Sequence, residues 1–237
     1  MRAPPTTCFA IAGFGAALFC ALARPAAAQG GNTPPAAPSS TPAWPADVDP
    51  QSGFRLPLIR REDLDDAGKR RYDNAANGGN IAGLQGPSGI SFYSPKTNEG
   101  QSAVSRYLRN EAGLGPRVRE IGLLVTSRSM DNQFEWTAHE PEAVKAGVPR
   151  ATIDAIKHHR PTAGLDPTDA VVIDLGRAIW KDHKVSSELF ARAKATFGPN
   201  KLVDLVMLMG SHANTAALLT TFDMQLHKGT KPMLPIP

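Results

Sequence analysis

The chain has 237 residues, with 26 lysines and arginines against 22 acids and a formal charge of +4. So small an imbalance, with no basic run interleaved with aromatics, excludes a polyanion-binding surface and predicts no nucleic-acid partner. Both cysteines, Cys8 and Cys20, fall within the first 28 residues. A chain trimmed of that segment forms no disulfide and has no thiol to use.

Residues 1–28 read as a cleavable secretory signal peptide. Arg2 precedes an apolar run from Cys8 to Leu22, and the small residues Ala26, Ala27 and Ala28 stand before Gln29. The run is shorter than the ~20 residues a membrane span needs, so no membrane contact is expected after cleavage. A secreted or periplasmic protein cut after Ala28 is the expectation. Residues 29–53, "QGGNTPPAAPSSTPAWPADVDPQSG", are rich in Pro, Ala and Ser and predict a disordered linker. Residues 54–237 are a normal length for one domain.

Within that domain "REDLDDAGKRRYDNAA" has acids leading and bases trailing, which suits a helix dipole. "GGNIAGLQGPSGISFYSPKT" predicts a long loop. "GQSAVSRYLRNEAGLG" predicts a helix stopped by glycine. "PRVREIGLLVTSRSM" has proline at a plausible first position, then Val118, Ile121, Leu124 and Val125 at helical spacing. "FEWTAHEPEAVKAG" follows, with Pro141 in its middle. Four further helices are predicted over "PRATIDAIKHH", "DPTDAVVIDLGRAIWKDH", "SSELFARAKATFG" and "PNKLVDLVMLMGSHANTAALLTTFDMQL". Their starts are marked by Asp166-Pro167, Ser186 and Pro199. The last is apolar on most faces, as a central or interface helix is. The fold class is all-α, with about seven or eight helices.

The chemistry concentrates in one helix. Glu135 and His139 are four residues apart and share a face. A carboxylate beside an imidazole favours the imidazolium or fixes a tautomer, and either serves proton transfer. Such a pair also occurs on solvated helix faces with no function. Pro141 leaves the carbonyl of Thr137 without a helical donor. The stretch is not a zinc HExxH motif, since Ala143 stands where the second histidine belongs, and no metal or cofactor is expected. Glu120 lies beside the apolar face of the preceding helix, so it is paired, protonated or exposed. It reaches His139 if the two helices pack as a hairpin, or pairs with Arg117 at the surface.

The stretch from Leu114 to Ile156 resembles the carboxymuconolactone decarboxylase / alkylhydroperoxidase D-like family. The resemblance rests on Arg119-Glu120, the "EWTAH" block and "AVKAGVPRATIDAI". It implies an all-helical domain that assembles into a homotrimer or homohexamer. In the peroxidase branch a CxxC pair works with a glutamate one helix earlier and a histidine just after. Here the glutamate matches Glu120 and the histidine matches His139, while the cysteine positions fall on Asn132 and Glu135. Thiol peroxidase activity is therefore not expected. The "EWxxH" variant looks like the decarboxylase side, whose acid–base chemistry needs no cofactor. The resemblance implies a catalytic set of Glu120, Glu135 and His139. His212 is a candidate fourth member, and Arg128 or Arg117 a candidate positive group for a substrate carboxylate. The functional expectation is a decarboxylase or related lyase acting on a small organic acid or lactone. A non-catalytic binding or assembly protein of the same fold, or a non-thiol peroxidase-like oxidoreductase, are the alternatives.

Overall fold

A computed structural model of the chain describes residues 44–78 and 83–236. The expected signal peptide, residues 1–28, and residues 29–43 of the expected linker lie outside the described residues. The remainder of that linker is not loose chain. Asp49 accepts the N–H groups of Gln51 and Ser52 at 2.9 Å each, closing an Asx turn. Val48 and Ser52 are buried. Phe54 is wholly enclosed in a small apolar cluster with Ile90, Phe134 and Leu219. The packed chain thus starts before residue 54: a local turn and one aromatic anchor outweigh a composition that reads as linker.

The elements in order are a 3-10 turn (Arg61–Asp63), α1 (Asp66–Asn77), α2 (Pro87–Ser91), α3 (Pro95–Asn110) and α4 (Pro116–Ser129). Then come α5 (Gln133–Lys145), α6 (Arg150–Lys157), α7 (Pro167–Trp180) and α8 (Ser187–Thr221). No strand occurs among the described residues, so the all-α expectation is met. The stretch read as one long loop contains the short helix α2, with Pro87 at a position that tolerates its missing N–H. The last two expected helices run on as α8. They are separated by Gly198, whose φ of 70° and ψ of 169° are non-helical and glycine-favouring. Pro199 then opens the second segment.

α4 is the central helix and packs against α5, α6, α7 and α8. Ile121, Leu123, Leu124 and Val125 are all but fully buried. α7 comes so close that a Cβ on Gly176 would lie 2.5 Å from Val125 Cγ1, which is why glycine stands there. α4 and α5 form a tight hairpin. Asp131 turns the chain at φ 46°, and Asn132 caps α5 by accepting the Glu135 N–H at 3.0 Å. The Asn132 side chain also donates to the Ala216 carbonyl at 3.2 Å, tying the hairpin to α8. Pro141 lies inside α5 without ending it. α8 is long and apolar enough to cross a membrane by length and composition alone. Its second segment nonetheless turns Leu205, Leu208, Met209, His212 and Leu219 into the core, as a core helix does.

Candidate active site

The α4–α5 hairpin brings the three sequence-predicted groups together, and α8 adds a fourth. Glu120 comes from α4, Glu135 and His139 from α5, and His212 from α8. Glu120, Glu135 and His212 are buried and the His139 side chain is nearly so. His139 Nδ1 lies 2.9 Å from Glu120 Oε2. The other Glu120 oxygen takes the Arg119 guanidinium at 3.0 Å. Burial alone would raise the Glu120 carboxyl. The hydrogen bonds and charges of His139 and Arg119 outweigh it and hold the pKa below the usual carboxylate range. Glu120 is therefore an anion that accepts the His139 Nδ1–H, leaving Nε2 as the working end of the ring.

That end faces Glu135, whose Oε2 lies 3.5 Å from His139 Nε2 and 3.4 Å from His212 Nε2. Both separations exceed a hydrogen bond. Burial pushes the Glu135 carboxyl up, against the opposing charges of His139 and Arg109. Ser127 fixes the second imidazole. Its hydroxyl donates to the Leu123 carbonyl at 2.8 Å, so at 2.9 Å it accepts from His212 Nε2–H. Burial, helped by the charges of His139 and Arg109, holds the His212 pKa well below its usual value, so this ring is neutral. The two rings meet edge to face, with centroids 5.0 Å apart.

Glu135, His139 and His212 also form a set that could hold a metal ion, each offering a ligand atom within 4.8 Å of the others. Contacts of 3.4 and 3.5 Å match the ~3.4 Å edges of a tetrahedron around zinc with ~2.1 Å bonds. Glu120 would then be the acid that orients a ligating imidazole through its other nitrogen. Against this, His212 Nε2 is engaged with Ser127.

A cleft of about 370 Å³ between α3 and α8 reaches the site at His212, and Glu120, Glu135 and His139 do not line it. A larger hollow of about 720 Å³ lies between the 3-10 turn, α1 and α3, and none of the four site residues lines it. The arginines singled out from the sequence do not line the cleft. Arg117 grips Asp169 through two bonds of 3.0 and 2.7 Å, and Thr152 adds a third at 2.8 Å, so this cluster ties α4, α6 and α7 together. Arg128 pairs with Asp131 at the hairpin turn. The arginines that line the cleft are Arg106 and Arg109, both on α3. The Arg109 Nε donates to Ser105 at 3.2 Å, and the Arg109 carbonyl accepts from Arg119 at 2.8 Å. Sequence reasoning passed over Arg109 and Ser127. Arg109 is a base in the last turn of a helix, which the dipole favours everywhere. Ser127 has no local signal, because its partner is 85 residues away.

No protein-family model and no curated protein matches the chain. Its fold matches the crystal structure of an alkylhydroperoxidase AhpD core, an uncharacterized peroxidase-related protein from Ralstonia eutropha JMP134. The TM-score is 0.61 at 15% identity, over 76% of this chain and 98% of that one. The chain has an AhpD-like fold.

Proposed function

We propose that the protein is an exported, cofactor-independent acid–base enzyme, a decarboxylase or related lyase acting on a small organic acid or lactone. This reading is carried by the convergence of Glu120, Glu135, His139 and His212, the last of which lines a solvent-open cleft. Glu120 holds the His139 ring by Nδ1 and leaves Nε2 facing Glu135. Glu135, whose carboxyl burial pushes up, is the acid beside that base. Loss of a carboxylate from the substrate leaves a carbanion or enolate that needs one proton. Glu135 supplies it, and His139 shuttles the replacement. Residues 29–237 contain no cysteine, so thiol peroxide reduction is closed to them. The charged start, apolar run and small-residue end of residues 1–28 support export. Assembly into a homotrimer or homohexamer is supported by apolar side chains that α8 leaves exposed, Val203 at 61% and Met207 at 53%.

The test is turnover of a panel of carboxylactones by the purified protein and by H139Q and E135Q. Each substitution lowers turnover by about 10²–10⁴-fold. Turnover surviving both overturns the assignment. Ligand-induced stabilisation without turnover marks a binding protein instead. A second reading, metal-assisted chemistry at Glu135, His139 and His212, is favoured by their near-tetrahedral spacing. Exhaustive dialysis against a chelator leaves activity intact under the first reading. Under the second it abolishes activity until zinc or another divalent transition metal is returned.

A further inference from the structure

The hollow between α1 and α3 is built unlike the rest of the molecule. α1 buries only Gly68, and it meets the body at the buried Phe92, whose ring centroid lies 5.7 Å from that of Tyr72 and 5.0 Å from the Arg71 guanidinium. The space left is about 720 Å³, the size of a small-molecule site. Leu64, Ala67, Phe92 and Ala103 give it apolar walls. Arg71, Lys96 and Arg106 line it too, and among the described residues none of them has a carboxylate within ion-pair distance, whereas Arg60 and Arg61 just before α1 pair with Asp63 and Asp73. The acids of the lining are mostly spent. Asp63 grips Arg60 at 2.9 and 2.6 Å, and Asp65 caps α1 by accepting the Gly68 N–H at 2.7 Å, which leaves Glu99. The Arg71 side chain carries a second anomaly: its Nη2 is shut off from water and has no hydrogen-bond partner. Buried donors are almost always satisfied, and a charged one left unmade is costly. A guanidinium over an aromatic ring, with a donor unused and an apolar hollow beside it, suits a flat ligand that ends in an oxyanion.

We propose that the α1–α3 hollow is a second ligand site, which takes an aromatic anion. The ring lies between the apolar side chains of α1 and Ala103 of α3 and extends the Phe92–Arg71 stack, and its oxyanion takes the unused Arg71 donor. Lys96 and Arg106, exposed at separate points along α3, attract the charge. Glu120, Glu135, His139 and His212 do not line the hollow, so the site goes beyond the acid–base reading and stands whether or not that reading holds.

The experiment is calorimetric titration of the purified protein with naphthalene-2-sulfonate, with 2-naphthol, which keeps the ring and is neutral at pH 7, and with methanesulfonate, which keeps the charge and has no ring. The wild type binds naphthalene-2-sulfonate about tenfold or more tighter than 2-naphthol, and methanesulfonate least. R71Q loses most of the gap between the two ring compounds, whereas R71K keeps part of it. A103W, a change at an exposed position, fills the hollow and abolishes binding of both. Circular dichroism melts check that each variant is folded; should R71Q not fold, R71K and A103W decide. A wild type that fails to bind naphthalene-2-sulfonate, or binds 2-naphthol equally well, overturns the site. So does a folded R71Q protein with the wild-type gap, or an A103W protein that binds as the wild type does. H139Q binds naphthalene-2-sulfonate as the wild type does, and loss of that binding in H139Q would place the ligand at the histidines and overturn the second site. Full turnover of carboxylactones by H139Q would overturn the acid–base reading alone.

Discussion

Glu135 and Glu140 are buried carboxylates five residues apart on one helix, and their surroundings are opposite. Glu140 is saturated. It accepts from Trp136 Nε1 at 2.6 Å and meets Arg150 at 2.8 Å and Lys157 at 2.6 Å. Every contact is at hydrogen-bonding distance, and the result is a strut between α5 and α6. Glu135 has two imidazole nitrogens at 3.4 and 3.5 Å and no closer side-chain partner among the described residues. A buried acid left with unused hydrogen-bonding capacity beside a cleft can act on a ligand, and one with none left can only hold the protein together.

The contrast is sharpest in stability. Glu140→Ala leaves the mostly buried Lys157 ammonium unpaired and costs about 3–5 kcal/mol in denaturant unfolding. Glu135→Gln removes a carboxyl already disfavoured as an anion, so stability stays within about 1 kcal/mol or rises while turnover falls. Equal destabilisation by the two would erase the distinction between strut and site. Gly176→Ala is the apolar control: it drives a methyl into Val125 and costs about 1–3 kcal/mol without changing the pH profile of activity.

Acid separates the site from the strut more gently. The His212 pKa is depressed, so its contribution to stability is present above about 6.5. It is lost as pH falls, because the unfolded chain takes a proton the native ring refuses. Glu135 has the opposite sign: its raised pKa makes its contribution fade as pH climbs through the folded value. Unfolding free energy therefore declines below pH 6.5, by at most about 1.4 kcal/mol per pH unit for the one histidine. His212→Gln flattens that limb, and an unchanged limb would remove His212 as its cause. The smallest effect is at the α5 cap, where Asn132→Ala costs about 1 kcal/mol and loosens Glu135 against α8.

The site's first half was legible because it is local. Glu135 and His139 lie one helical turn apart, and Glu120 needed only a hairpin that the short Met130–Asn132 link makes natural. The positive group was not legible. Arg117 and Arg128 sit on the same helix as Glu120 and looked equally available, but Asp169 and Asp131 hold them elsewhere. Arg109 is ten residues before Arg119, across a glycine turn, and its place in the cleft depends on how α3 crosses α8.

Residue spacing alone specified most of the helices, the caps at Asp166 and Ser186 and the Glu–x–x–x–His face, since those are set by interactions within a few positions. The arrival of His212 and Ser127 at that face required packing, as did the opening beside Arg109 and the difference between a saturated and an unsatisfied glutamate. Each depends on side chains distant in sequence, and no short-range period encodes which of two similar acids finds enough partners.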